Sequence, residues 1–203
     1  MRKSLYEDLN HSVKEFRLLT VESGIGDEVV TCTLNVVSLL NQSLPEYETV
    51  SYTWGEQADR SLICIDGHST SVPKNSAQAI KCMRRANTAR VLWIDAMCID
   101  QNDLQERSCQ VSMMAEIYTG AQCNLVHLGD DTDQDIGQVL ADIPSIVEEV
   151  RAETQDFDML RGIGFKGNYI IGSHWFTASF STQAWVNLFA RPWFRLAFMP
   201  SQT

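Results

Sequence analysis

Four carboxylates, Asp95, Asp100, Asp103 and Glu106, crowd the stretch VLWIDAMCIDQNDLQER (91–107). Asp95 interrupts an apolar run, Val91 to Ile99, that reads as a strand buried on both faces. A buried carboxylate is costly unless it is paired or hydrogen-bonded. Asp95 therefore needs an arginine such as Arg107, backbone amides or a ligand. Strand alternation would place Val91, Trp93, Asp95, Met97 and Ile99 on one face. Asp100 and Gln101 follow at the predicted carboxyl end, the edge at which open parallel sheets bind ligands. Glu106 enters the first turn of the next predicted helix, with Gln110 one turn further along the same side. That helix N-terminus is suited to a phosphate or pyrophosphate. Trp54, closing a neighbouring predicted strand beside Gly55, is placed to stack on a planar ring.

Each of these residues also has an architectural reading. Asp103-Leu104-Gln105-Glu106 is a capping-box pattern, in which Glu106 returns to the cap's backbone N–H. Asp95 serves equally as a buried structural acid, and Trp54 and Trp93 as core aromatics.

The elements that must position these residues are legible from periodicity and turn signals. EFRLLTVES and VVTCTLNVVSL are β-prone and flank Gly24-Ile25-Gly26-Asp27, which predicts an antiparallel pair. ETVSYTWG is a further strand, and Asp66-Gly67 within SLICIDGHSTSVP signals a two-residue hairpin. A helix follows from Pro73, with Ala79, Ile80 and Met83 at helical spacing. A second spans about 104–120 on a stripe of Val111, Met114, Ala115 and Tyr118. CNLVHLG (123–129) is a last short strand. This alternation over 49–129 predicts an α/β protein with a mostly parallel central sheet flanked by helices. The antiparallel pair precedes that sheet and the hairpin is inserted into it. Residues 1–14 read as a polar lead-in and 15–130 as the core. Residues 131–203 open with an acidic helix interrupted at Pro144; 156–182 have no assignable element.

The chain has 203 residues with 44% hydrophobic and 21% charged content, an ordinary globular balance. A net charge of −10 argues against an electrostatic grip on nucleic acid or anionic lipid. Lys81, Arg84, Arg85 and Arg90 are a local exception, read as a solvated helix face. No apolar run reaches the roughly 20 residues of a membrane span. The six cysteines are scattered without a C-x-x-C pair, which predicts reduced core residues and no metal site. The expected location is the cytoplasm.

Several blocks in order make the chain recognisable. YETVSYTWG (47–55), LWIDAMCIDQNDLQERSCQVSMMAEIYTGA (92–121) and VHLGD (126–130) resemble signature blocks of the fungal heterokaryon incompatibility (HET) domain. The hairpin, VPKNSAQAI and RPWF (191–194) resemble it as well. The resemblance implies a domain that triggers cell death or growth arrest after non-self recognition. It acts through self-association or with another incompatibility protein. It also implies a remote similarity to Toll/interleukin-receptor (TIR) domains, which are flavodoxin-like; some hydrolyse NAD and others only assemble signalling complexes. If NAD is the substrate, no further cofactor is required. A carboxylate would then stabilise the oxocarbenium-like transition state on the ribose. Glu106 is the first candidate, with Asp95 or Asp100 orienting a ribose hydroxyl. Trp54, Gly55, Asp100, Gln101, Arg107 and Gln110 are the candidate ligand-binding residues. Family members continue past RPWF into a strand with a Trp and a Gln-Glu pair. Here RPWFRLAFMPSQT departs from that pattern, so an incomplete C-terminal part is expected.

Overall fold

The computed structural model describes residues 5–56, 58–129, 135–153 and 182–194. They fall into two compact units, 1–129 and 130–203. The break-off after RPWF and nearly all of the unassigned stretch 156–182 lie outside the described residues.

The first unit is α/β, built on an open seven-stranded mixed sheet flanked by helices. Its strands are β1 (Glu15–Val21), β2 (Thr31–Ser38), β3 (Glu48–Tyr52), β4 (Arg60–Ile65), β5 (His68–Pro73), β6 (Arg90–Trp93) and β7 (Cys123–His127). They lie in the order β5-β4-β2-β1-β6-β3-β7. The predicted antiparallel pair is present, in register from Glu15 opposite Ser38 to Val21 opposite Cys32. β1 also pairs antiparallel with β6. Being central, β1 is apolar on both faces: Phe16, Leu18, Leu19 and Val21 are all buried. Asp66 and Gly67 turn the β4–β5 hairpin with φ of 50° and 74°, the double positive-φ geometry of a type I′ turn.

β2 pairs parallel with β4, and β6-β3-β7 form a parallel trio. From β3 the chain runs through the hairpin and helix α1 (Lys74–Met83) to β6, on one side of β3. From β6 it runs through α2 (Asp95–Cys98) and α3 (Leu104–Gly120) to β7, on the other side of β3. Connections that diverge in this way open a crevice beyond the strands' carboxyl ends. Glu48 fastens the trio at its other end. Its carboxylate accepts from Arg90 Nη2 at 2.8 Å and lies 3.6 Å from Arg85. Hydrogen bonding to Arg90 holds the Glu48 carboxyl below the usual carboxylate range. Arg84 donates to the carbonyls of Gly26 and Glu28, and Lys81 pairs with Asp27. The basic cluster thus ties elements together and is not merely a solvated face.

Two local expectations are corrected. The strand predicted over 91–99 ends at Trp93, and the rest of the apolar run forms a helical turn. Met97 and Cys98 donate to the Ile94 carbonyl, and Ile99 to that of Asp95. A short apolar run does not separate a buried strand from a buried helical turn. The proposed alternation through Asp95, Met97 and Ile99 therefore does not exist. In α3 the inward positions are Glu106, Gln110, Met113 and Ile117, while Val111 is 55% exposed. Of the predicted stripe, Met114 and Tyr118 pack half-buried against the core while Val111 and Ala115 are exposed, because two of the inward positions are the polar Glu106 and Gln110. The cysteines divide as well: all six are free, with Cys32 and Cys98 buried but Cys82 and Cys123 exposed.

In the second unit, α4 (Asp135–Glu153) runs through Pro144, and α5 (Thr182–Ala190) packs on it. Asp142 is buried there and accepts from Trp185 Nε1 and Gln138 Nε2, both at 2.9 Å. Its remaining buried residues include Val139, Ala184 and Leu188.

Candidate functional site

The loop leaving β3 and the turn leaving β6 meet at the crevice. Trp54 Nε1 donates to Asp95 Oδ2 at 2.9 Å, and Asp95 Oδ1 accepts the Ala96 N–H at 2.7 Å. Asp95 therefore opens α2 with its carboxylate folded onto the backbone, and it also ties the indole of the neighbouring loop. Burial dominates its electrostatics. The Asp95 carboxyl is raised above its ordinary value, although bonds from Trp54, Ala96 and Tyr52 act in the opposite direction. Desolvation likewise raises the nearby Tyr118 phenol to about 12 and pushes Tyr52 up. Gln101 Nε2 donates to the Asp95 carbonyl at 3.0 Å and pins the following loop.

Gly55 fits only because it is glycine. Its φ is +73°, and a Cβ there would stand 2.6 Å from Asn75 Nδ2. That amide is not free to retreat, because it donates to the Thr53 carbonyl at 2.9 Å. Gly55→Ala is expected to cost about 2–3 kcal/mol, combining left-handed strain with loss of the Asn75 bond. The shift of the urea midpoint checks this value.

These residues wall a cleft of about 340 Å³. Trp54, Gly55, Ala96, Met97, Gln101 and Asn102 form one side. The hairpin supplies Arg60, Ile65 and Thr70 to Pro73, and Leu5 and Tyr6 lie along it. Trp54 is 39% exposed, open enough to meet a ligand while its indole N–H is held by Asp95. A larger hollow of about 830 Å³ lies by β2 and the hairpin tip, and none of the sequence-predicted site residues lines it.

Glu106 is placed differently. Its carboxylate faces the buried Arg17, with Nη1–Oε1 at 2.6 Å and Nη2–Oε2 at 2.9 Å, a two-bond fork. Their side chains are only 2% and 8% exposed. Arg17 also donates to the Cys98 and Glu7 carbonyls and stacks on the Tyr6 ring at 4.9 Å. Asp103 does cap α3, accepting from the N–H groups of Gln105 and Glu106. Glu106 does not complete a reciprocal box; it reaches back to the Asp100 N–H at 2.7 Å. The Asp100 carboxylate accepts the Asn102 N–H.

Of the predicted residues, the structure thus gathers Trp54, Gly55 and Gln101 in the cleft wall, with Asp95 hydrogen-bonded to the lining residues Trp54 and Ala96. Glu106 and Gln110 lie on the buried face of α3, where Gln110 Nε2 donates to the Glu15 carbonyl at 2.8 Å. Arg107 is exposed and is not the partner of Asp95. Sequence reasoning missed Arg17, although an arginine inside FRLLTV was the available signal. It also missed Arg60, which gave none. Among the described residues no group of three His, Cys, Asp or Glu side chains converges to hold a metal ion. Nor is any helix among them long and apolar enough to cross a membrane.

The family model of the heterokaryon incompatibility protein (HET) matches residues 47–196, which hold the whole cleft apart from Leu5 and Tyr6. Heterokaryon incompatibility protein 6, OR allele, of Neurospora crassa is 29% identical over 118 residues. The match covers 52% of this chain but only 17% of that protein's length. No solved structure matches the chain. By the extent of the family match and the agreement of its sequence blocks with one folded crevice, the chain belongs to the fungal heterokaryon incompatibility family.

Proposed function

We propose that this chain carries the effector domain of a heterokaryon incompatibility protein and triggers growth arrest or cell death after non-self recognition. Its working site is the cleft at the carboxyl edge of β3 and β6. The observation that carries this reading is the Trp54–Asp95 bond at the diverging connections, where a half-buried carboxylate and an exposed ring adjoin one cavity. The protein acts in the cytoplasm and assembles with itself or with another incompatibility protein. It binds no nucleic acid and does not span a membrane.

The chemistry this site suits is hydrolysis of NAD, taken up as substrate with no further cofactor. The bond between ribose C1′ and nicotinamide breaks, and nicotinamide leaves neutral with the bonding electrons. Water adds at C1′ and releases one proton, giving ADP-ribose. The cationic ribose needs one nearby carboxylate. Asp95 takes that role before Glu106: the Asp95 oxygens accept from Trp54 and Ala96 beside the cleft, whereas Glu106 is buried on α3 with Arg17 and the Asp100 N–H on its oxygens. Asp100, Gln101 and the ring of Trp54 would hold the ribose and a base.

A second reading, an assembly module that breaks no bond, is favoured by the same engagement of Glu106 with Arg17. Incubating the purified chain with NAD, dilute and under crowding, separates the two readings. Nicotinamide release is the expected result. Its absence from folded, assembled protein would leave the assembly reading standing alone.

A further inference from the structure

The cleft holds a charged side chain that neither the sequence nor the family resemblance singles out. Arg60 opens β4 and stands at the hairpin side of the cavity, across from the loops that carry Trp54 and Gln101. Its guanidinium is held by Ser71 of the neighbouring strand β5. Nε donates to Ser71 Oγ at 3.2 Å and Nη2 to the Ser71 carbonyl at 2.6 Å. A guanidinium carries five N–H donors. Those on Nη1 and on the far side of Nη2 meet no protein acceptor among the described residues.

Charge makes this arrangement informative. The chain has 26 acidic and 16 basic residues, yet Arg60 has no carboxylate partner among the described residues. The adjacent Asp59 pairs instead with Lys74, at 3.9 Å. No Asp or Glu is among the described residues lining the cavity; Asp95 is hydrogen-bonded to two that do line it, Trp54 and Ala96. An arginine fork held by its own hairpin therefore lines a cleft in which no described carboxylate pairs with it, in a protein that is otherwise acidic. Planar recognition of phosphate is what such a fork does well.

We infer that Arg60 anchors the phosphate of a nucleotide-class ligand whose planar ring stacks on Trp54. The inference rests on the cleft being the working site, and it adds the residue that holds the phosphate of what the cleft accepts. Asp95 contributes by holding the Trp54 N–H, which fixes the ring's orientation relative to the guanidinium. A volume of about 340 Å³ is at the lower end of ligand pockets. Selectivity should accordingly come from the pairing of one ring with one anion, not from wide enclosure.

Calorimetric titration of the full chain with ADP, adenosine and inorganic phosphate tests this. ADP should bind roughly 10- to 100-fold more tightly than adenosine, the range expected for a charge-assisted bond. Arg60→Gln should erase that difference while thermal unfolding stays close to wild type. Arg60→Lys should keep part of it, retaining charge without the fork. Equal affinity for ADP and adenosine, ADP binding undiminished in Arg60→Gln, or no binding of either would overturn the inference. Its failure is distinguishable from that of the hydrolase reading. ADP preference without nicotinamide release sinks the hydrolase and leaves the anchor. Nicotinamide release with KM for NAD unchanged in Arg60→Gln does the reverse.

Discussion

Glu106→Ala is expected to destabilise the chain by about 3–5 kcal/mol, the usual cost of stranding one member of a buried ion pair. The variant leaves the Arg17 guanidinium almost fully buried without its counter-charge, and leaves the Asp100 N–H without its acceptor. Set against a total stability of about 5–15 kcal/mol, this is a large fraction. Urea unfolding of wild type, Glu106→Ala, Arg17→Met and the double variant measures it. The double variant should recover part of the loss, because replacing both charges removes the stranded one. A loss under about 1 kcal/mol in Glu106→Ala would show that the pair does not hold the fold. Lost activity in Glu106→Ala is therefore no evidence for catalysis unless stability is measured alongside it.

Asp95→Asn is expected to do the opposite, leaving the fold in place and removing function. Nicotinamide release should fall about 10²–10³-fold, the scale of losing one preorganised electrostatic group. The stability of this variant relative to wild type should depend on pH with a definite sign. Burial raises the folded-state carboxyl above its unfolded value, so folding favours the protonated form. The Asp95 contribution is then fully present below the unfolded pKa and is lost as pH rises through the folded one. Wild type should accordingly lose its advantage over Asp95→Asn between acid and neutral pH. Urea midpoints for both proteins across that range would show it, and a gap that widens with pH would contradict the burial of Asp95.

The fold was largely legible because its signals are local and strong. The Asp66-Gly67 turn, the extent of α3 and the strand pair across Gly24 to Asp27 needed only turn chemistry and periodicity. What could not be read were long-range polar contacts. Arg17 and Glu106 are 89 positions apart, and only the sheet order brings β1 beneath α3. That contact explains the engagement of Glu106, and together with the Gln110 bond to the Glu15 carbonyl it explains why the inward face of α3 is partly polar. The cleft was half legible. Trp54, Gly55, Asp95 and Gln101 follow from the rule that ligands sit at strand carboxyl ends. Arg60 joins them through a hairpin that folds back over the edge, and no spacing in the sequence encodes that approach.

On the reading proposed above, the Trp54–Asp95 cleft is where this domain acts. Conditional expression in fungal cells of the wild-type chain and of Asp95→Asn, at matched soluble levels, tests it most directly. Growth arrest or death with the wild type and normal growth with Asp95→Asn is the predicted result. Arrest of equal strength with both proteins would contradict it, and would place the effector surface elsewhere on the molecule.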